Sequence, residues 1–445
     1  MRDAFLRLTE QIHGALEPGE RFTAWLAAES SDFVRFNHGK VRQAGHVTQR
    51  NLTVRLVQGE ADAAGQKQAQ ATLSLAGDAQ LDRLTVLAQV HELRRQLQDV
   101  AADPHLLLAS DQQPLTLPAD TPPLDAESMA IAIVQRAAPY DLVGILAAGT
   151  IATGFAASTG TRLWHQKRNF NFDWSLYAHG DKAVKCSYAG DVWDDQVFER
   201  KLAEAAHQLA LLQRPPHTLA PGEYRTYLAP AALDSLLSML NWGGFSEKQF
   251  RVKRSPLLKM LESGAQFSPL VDLVENTEEG LSPPFQAEGF VKPARVPLVA
   301  AGRLVGSLIA PRTAKEYGLA ANADGDETTQ SLHMAPGRLP TADVIARLGT
   351  GLYVSNLWYL NFSDRANAKV TGMTRFATFW VENGQMVAPL NVMRFDDSLF
   401  RILGDNLEAL TVERTLLVDT DTYGERHTAS SLVPGALLSK LALVL

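Results

Sequence analysis

The chain has 445 residues, 46% of them hydrophobic, and a formal net charge of −7. That length exceeds one ordinary core, so two or three domains are expected, and the negative balance gives no electrostatic reason to bind nucleic acid. Cys186 is the only cysteine, which excludes an intrachain disulfide and a zinc site built from thiolates, and suits a reducing, cytoplasmic setting.

At the N-terminus Phe5, Leu8, Ile12 and Leu16 share one stripe with charges opposite. Residues 1–17 therefore read as a helix rather than a targeting segment. Strand-like runs follow at 22–28 and 32–37. Asn37-His38-Gly39-Lys40 reads as a tight turn, because glycine tolerates positive φ. Residues 41–49 are the partner strand, and Leu52, Val54 and Leu56 alternate with polar residues as a half-buried strand. Leu81, Leu84, Leu87, Val90, Leu93, Leu97 and Val100 recur at helical spacing, so 79–102 is expected to cover this sheet as an amphipathic helix.

Residues 103–123 carry Pro104, Pro114, Pro118, Pro122 and Pro123, which preclude a long helix or a central strand. A linker and domain boundary are expected there. A second unit over 124–216 opens with a helix at 125–138. Strands follow at 142–150, 170–179 and 182–190, the last holding Cys186. Phe170, Phe172 and Trp174 alternate with polar residues and are expected to pack one strand face on a core. Val197, Phe198, Leu202, Ala205, Leu209 and Leu212 make a helix that Pro215-Pro216 ends.

The third unit, 217–445, opens with a strand at 224–229 and a helix at 230–240 whose apolar side is Leu233, Leu236, Leu237 and Leu240. Residues 262–290 read as an extended loop, and 296–300 with 303–309 as two strands around Ala301-Gly302. Residues 320–338, with Asn322, Asp324, Asp326 and Glu327, lack the spacing of an EF-hand and read as a mobile surface loop. Asn383-Gly384 between alternating runs at 369–382 and 385–392 signals a hairpin. A helix is expected at 399–410, a strand at 415–420, and a buried apolar end at 435–445. No stretch approaches the ~18 consecutive apolar residues of a membrane span. The whole reads as a multi-domain α+β protein with mixed, largely antiparallel sheets covered by helices.

Hydrolytic zinc chemistry needs about three protein ligands and an open site for water, and the chain has eleven histidines that could serve. The nearest match to HExxH is His91-Glu92, but the second histidine position is Arg95, and a guanidinium does not replace imidazole. Glu204 and His207 form half of a di-iron pattern without its second half. His38 and His46 flank a turn and strand, and structural roles are expected for them all.

Several ordered blocks carry a family resemblance. The first unit reads SDFVRFNHGKVRQAGHVTQRNLTVRL; later come AEGFVKPARVPLVAAGRLVGSLI, GLYVSN and TGMTRFATFWVENGQMVAPLNVMRF. Together they resemble the TldD/PmbA family, the modulator-of-gyrase proteins also called TldD/TldE peptidases, across nearly the whole chain. The resemblance implies a zinc-bearing TldD-type subunit with an HExxxH helix and a distal cysteine, paired with a TldE/PmbA-type subunit that keeps the fold without the metal set. It places the zinc helix on 233–244. There the HExxxH window reads Ser238-Met239-Leu240-Asn241-Trp242-Gly243, and 411–445 has no cysteine, only His427. Ser238, Met239 and Gly243 thus mark a degenerate window. No catalytic, cofactor-binding or metal residue is carried over, and no cofactor is expected.

The expectation is a catalytically silent TldE/PmbA-type subunit. It would support proteolysis of unfolded or modified peptides by pairing with a TldD-like subunit, or with itself, and by offering strand edges to an extended peptide. The alternative is a metal-independent hydrolase or autonomous peptide-binding protein of the same fold, with Ser238, Ser246, Cys186 or Glu247 as the groups to consider. Neither nucleic acid nor membrane is expected as a partner.

Overall fold

The computed structural model describes residues 1–59, 65–110, 112–178, 180 and 182–444. The strand end expected at His179 and the last residue of the buried apolar end, Leu445, lie outside the described residues. The first module runs α1 (Arg2–Gly14), β1 (Glu20–Asn37), β2 (Lys40–Gln58), β3 (Lys67–Ser74), α2 (Ala79–Asp99), β4 (Leu115–Leu117), α3 (Ala126–Ala137), β5 (Asp141–Ala157), β6 (Arg162–Tyr177), β7 (Ala183–Gly190) and α4 (Asp195–Leu212). Asp78, Asp125 and Asp194 cap α2, α3 and α4 by accepting main-chain N–H bonds, satisfying donors that a helix start leaves open.

These strands form one sheet, ordered β3-β2-β1-β5-β6-β4, with β7 also on β6. The runs expected at 22–28 and 32–37 are one strand, bent back through His38 and Gly39 at φ 49° and 64°. A Cβ on Gly39 would stand 2.9 Å from the Tyr140 carbonyl oxygen, so the turn takes glycine for space as well as for φ. β1 pairs with β5 from Thr23↔Ala157 to Phe36↔Gly144. The segments on either side of 103–123 therefore share one sheet, and that segment itself contributes β4.

Because side chains alternate across a strand, even-numbered residues of β1, β5 and β6 lie on one face. Phe22, Ala24, Leu26, Ala152, Ala156 and Trp164 pack under α1 and α2. Phe36, Leu142, Leu146, Phe170, Phe172 and Trp174 pack under α3 and α4. All four helices thus cover a single face. The odd face meets the second module, where Phe155 and Leu163 pack with Phe285.

The second module comprises β8 (Gly222–Leu228), α5 (Pro230–Ser238), α6 (Glu247–Arg251), α7 (Leu258–Glu262), β9 (Leu273–Asn276), β10 (Arg295–Ala300), β11 (Arg303–Leu304), α8 (Pro311–Tyr317), β12 (Ser331–Met334), α9 (Val344–Leu348), β13 (Gly351–Asp364), β14 (Lys369–Glu382), β15 (Gln385–Pro389), β16 (Arg394–Ser398), β17 (Leu407–Val418) and β18 (Ser430–Leu443). The path β18-β16-β14-β13-β8 closes into a ring because β8 pairs back onto β18. Asn383 and Gly384, at φ 49° and 74°, make the hairpin turn between β14 and β15.

Four expectations are corrected. Leu81 and Leu84 are exposed; the first turn of α2 instead buries Asp82, whose carboxylate accepts the Ala76 and Gly77 N–H groups at 2.7 and 3.0 Å. The loop expected at 262–290 contains β9, held between β10 and β12. The surface loop expected at 320–338 is largely internal: β12 is buried throughout, and buried Glu327 accepts from Ser246 Oγ, Lys248 N and Ala310 N. Its polar residues tie neighbouring segments together. The helix expected at 399–410 is a single wide turn, Arg401–Asp405, because residues from Leu407 onward find a strand partner in β18. No helix among the described residues is long and apolar enough to cross a membrane.

Candidate functional site

A cleft of about 570 Å³ lies between the odd face of the first sheet and the ring of the second module. One wall is α5. Ala231, Asp234, Ser235, Ser238 and the following Asn241 line the cleft, and their spacing of three and four puts them on one helical face. The opposite face buries Leu233, Leu236, Leu237 and Leu240 almost completely, packing the helix on β13 and β18.

Two strand edges border the same space. Lys185, Cys186 and Ser187 of β7 are consecutive lining residues, as are Ser355, Asn356, Leu357 and Trp358 of β13. Consecutive residues of a strand alternate in facing, so such a run meets the cleft edge-on. Among the described residues β7 pairs only with β6. β13 pairs with β8 at Leu352, Tyr353 and Val354, and its register with β14 shifts between Val354 and Asn356. Beyond that bulge Asn356, Leu357 and Trp358 stay paired with β14 while lining the cleft.

Burial sets the electrostatics. It pushes the Asp234 carboxyl up to about 6, partly opposed by a hydrogen bond from Ser431 Oγ. It also raises the Asp173 carboxyl, against the pull of Lys185, whose Nζ stands 3.3 Å away. The Cys186 thiol is pushed up to about 12, so it stays protonated near neutral pH and is a poor nucleophile and metal ligand. Asp173 Oδ1, Ser355 Oγ and Asn356 Oδ1 are buried without a hydrogen-bond partner.

The zinc implied by the resemblance does not fit these side chains. The face of α5 toward the cleft offers hydroxyls, one amide and one carboxylate, where a hydrolytic site needs about three donors such as imidazole, thiolate or carboxylate converging on one point. Of the degenerate window, Ser238 lines the cleft and donates to Ser235 O at 2.8 Å. Met239 is core, and Gly243 lies past the helix at φ 87°. Among the described residues no group of three or more His, Cys, Asp or Glu side chains is placed to hold a metal ion.

The remaining sequence candidates are occupied elsewhere. His91 lies 3.0 Å from Arg94 Nη1 on exposed α2, and Glu92 pairs with Arg95. Ser246 is buried, donates to Glu327 and accepts the Gln249 N–H at 3.1 Å as the cap of α6. Glu247 holds Arg251 Nε and Ser307 Oγ, both at 2.7 Å. Glu204 of α4 does reach the cleft, whereas His207 does not line it. His427 lies on the 419–429 connection, next to Arg426, which is buried against Ser31 Oγ and Asn169 O at 3.2 and 3.1 Å. His38 Nδ1 meets Asp141 at 2.9 Å.

His46 sits in a constellation that sequence reasoning missed. Its Nδ1 is 2.8 Å from Asp32 Oδ1 and its Nε2 is 3.1 Å from both Ser30 Oγ and Thr48 Oγ1. The register produces this directly: Asp32 is paired with His46 and Ser30 with Thr48 across β1 and β2. Asp234 was also missed, because a lone carboxylate beside leucines gives no signal until the exposed face of the helix is known.

Residues 221–444 match a family model described as the PmbA/TldA metallopeptidase C-terminal domain. Among solved structures, the chain is similar to TldE from Thermococcus kodakarensis, with a TM-score of 0.79 at 12% identity, covering 99% of this chain and 100% of that one. A proposed modulator of DNA gyrase from Thermotoga maritima superposes with a TM-score of 0.73 at 13% identity, covering 99% and 100%. Another from Bacteroides thetaiotaomicron gives 0.71 at 14% identity, covering 99% and 98%. At such identities these likenesses speak for the fold. No curated protein matches the chain.

Proposed function

Because the chain belongs to the PmbA/TldD metallopeptidase family, we propose that it is a TldE/PmbA-type subunit, silent by itself, that receives extended peptides in its cleft and pairs with a zinc-bearing TldD-like partner. The observation that carries this reading is the face of α5. The helix keeps its place beside the cleft, yet it turns Asp234, Ser235, Ser238 and Asn241 toward it instead of an imidazole pair with a glutamate. The edges of β7 and β13 supply what such a subunit needs for sequence-tolerant peptide binding, main-chain donors and acceptors not engaged in a ladder. The test is elemental analysis of the chain purified alone and with an HExxxH-bearing partner. The expected result is no stoichiometric zinc alone, and peptide cleavage only when both are present. About one zinc per chain in the protein purified alone overturns the reading.

A second reading, a metal-independent hydrolase, is favoured by the Ser30–His46–Asp32 run, whose distances suit a nucleophile, base and orienting carboxylate. Physical argument weighs against it: the three side chains stand on a sheet face, while main-chain N–H groups lie in the plane of the sheet and cannot point at an oxyanion there. Labelling with a fluorophosphonate decides the matter. Covalent modification of Ser30 that disappears in His46→Ala supports a hydrolase; an unmodified Ser30 removes it.

A further inference from the structure

The ribbon of β13 and β14 carries two bulges beside the cleft. Val354 pairs with Thr378 and Asn356 with Arg375, so β14 holds an extra residue there. Trp358 pairs with Met373 and Asn361 with Thr371, so the next extra residue is in β13. Each bulge contains an aromatic residue at positive φ, Phe376 and Tyr359, both at 57°. Bulky side chains rarely take that conformation, which costs about 1–3 kcal/mol and persists where the surroundings impose it. Its effect is to suspend the alternation of a strand, so that consecutive side chains meet. The Arg375 guanidinium carbon lies 5.4 Å from the centre of the Phe376 ring, and the Trp358 ring 5.6 Å from that of Tyr359. Across the ribbon the same guanidinium lies 4.8 Å from the centre of Trp358. Trp358 and Phe376 both line the cleft, so Arg375 is held between two rings at its margin.

Stacking orients a guanidinium without using its N–H groups. The other arginines that stack on rings have those groups engaged. Arg365, 5.3 Å from Phe362, donates to the Arg254 and Trp242 carbonyls, and Arg251, 5.1 Å from Tyr317, is paired with Glu247. Among the described residues the Arg375 guanidinium has no hydrogen-bond partner and no carboxylate within ion-pair reach, and its nitrogens are not shut away from solvent. None of the lining residues that β13 and β14 supply is acidic, so its charge is not neutralised from the ribbon. A half-buried, oriented guanidinium with a free edge has the planar fork that fits a carboxylate through two parallel hydrogen bonds. We propose that Arg375 anchors a carboxylate of the bound peptide, with Trp358 and Phe376 fixing the plane of the guanidinium. The carboxylate is the C-terminal one or that of an aspartate or glutamate side chain. This anchor rests on the reading of the cleft as a peptide-accepting channel. It adds a chemical preference to a site whose strand edges alone would be indifferent to sequence.

The experiment compares four fluorescent, unstructured octapeptides by anisotropy with the full chain. One pair shares a neutral sequence and ends in a free carboxylate or in an amide. The other pair ends in an amide and carries a central glutamate or glutamine. A peptide with a carboxylate is expected to bind about tenfold more tightly than its neutral match, the lower end of the range for a charge-assisted hydrogen bond. An advantage confined to the first pair assigns the C-terminal carboxylate, and one confined to the second assigns the side chain; either supports the anchor. Arg375→Gln should remove the advantage. Arg375→Lys, which keeps the charge and loses the fork, should retain part of it. Trp358→Leu, at a position 48% exposed, should reduce it by a smaller factor than Arg375→Gln does. Equal affinity within both pairs overturns the anchor and leaves the peptide channel standing. Binding of none of the four peptides overturns both. An advantage undiminished in Arg375→Gln places the carboxylate elsewhere and overturns the assignment.

Discussion

The two faces of the first sheet are made by the same strands, yet they do different things. On the even face Phe36, Phe172 and Trp174 are buried together under α3 and α4. On the odd face of the same strands stand Ser31, His165, Asn169 and Asp173, polar groups that meet the second module or the cleft. Moving one residue along a strand crosses from packing to recognition. A period of two in the backbone therefore separates what holds the module together from what it offers to others.

The largest effect expected from testing this division comes from the even face. Phe172 is fully buried, 5.6 Å from Phe36 and 5.9 Å from Phe198 between ring centres. Phe172→Ala should cost about 3–5 kcal/mol by urea denaturation. A loss under 1 kcal/mol would mean that the even face is not the core. Next comes the contact across the odd face. Arg426 is buried, and its pKa is lowered by desolvation to about 10, so it remains charged near neutrality. Arg426→Ala strips the donors from Ser31 and Asn169 and should cost about 2–3 kcal/mol. An unchanged denaturation midpoint would show that the two modules do not depend on this contact.

Two buried groups, one from each module, should oppose each other as pH changes. Burial raises Asp234 to about 6. Between about pH 4 and 6 the folded chain keeps a proton that the unfolded chain has released, so this group makes stability fall as pH rises. Burial lowers His165 to about 4, helped by Lys167 and Lys292. Between about pH 4 and 6.5 the unfolded chain holds the extra proton, so this group makes stability rise with pH. His165→Gln should expose the fall and Asp234→Asn the rise. Each profile should diverge from the parent by about 2 kcal/mol between about pH 4 and 7. Divergence in the same direction for both variants would contradict the burial of one of them. The smallest effect marks where the helix layer ends: Leu84→Lys, at an exposed position of α2, should change stability by less than about 0.5 kcal/mol.

The sequence made the turns and the strongly patterned elements legible. His38-Gly39 and Asn383-Gly384 stand at the tips of hairpins, Asp125 starts α3, and the leucines of α5 face inward as their spacing requires. What escaped was set by neighbours rather than by local pattern. Ser331-Leu332-His333-Met334 is a strand because β9 and β18 flank it, and nothing in those four residues shows that. Residues 407–410 have helical spacing, but they pair with β18. The helix at 230–240 was readable; which of its side chains face the cleft was not. Ser238 does and Met239 does not, a difference decided by which side of α5 packs on β13 and β18.

The ring of strands carries a consequence for how the chain is made. Among the described residues β18 touches β8, β12, β16 and β17, so the strand that joins the most neighbours is made after all of them. Until residues 430–443 have left the exit tunnel, the ring is open between β8 and β16, and the edge that each turns away from β13 or β14 is open to other polypeptides. Nascent chains stalled before residue 430 should therefore need a chaperone's protection over the whole second module, while the helix-covered sheet ahead of it can already be closed.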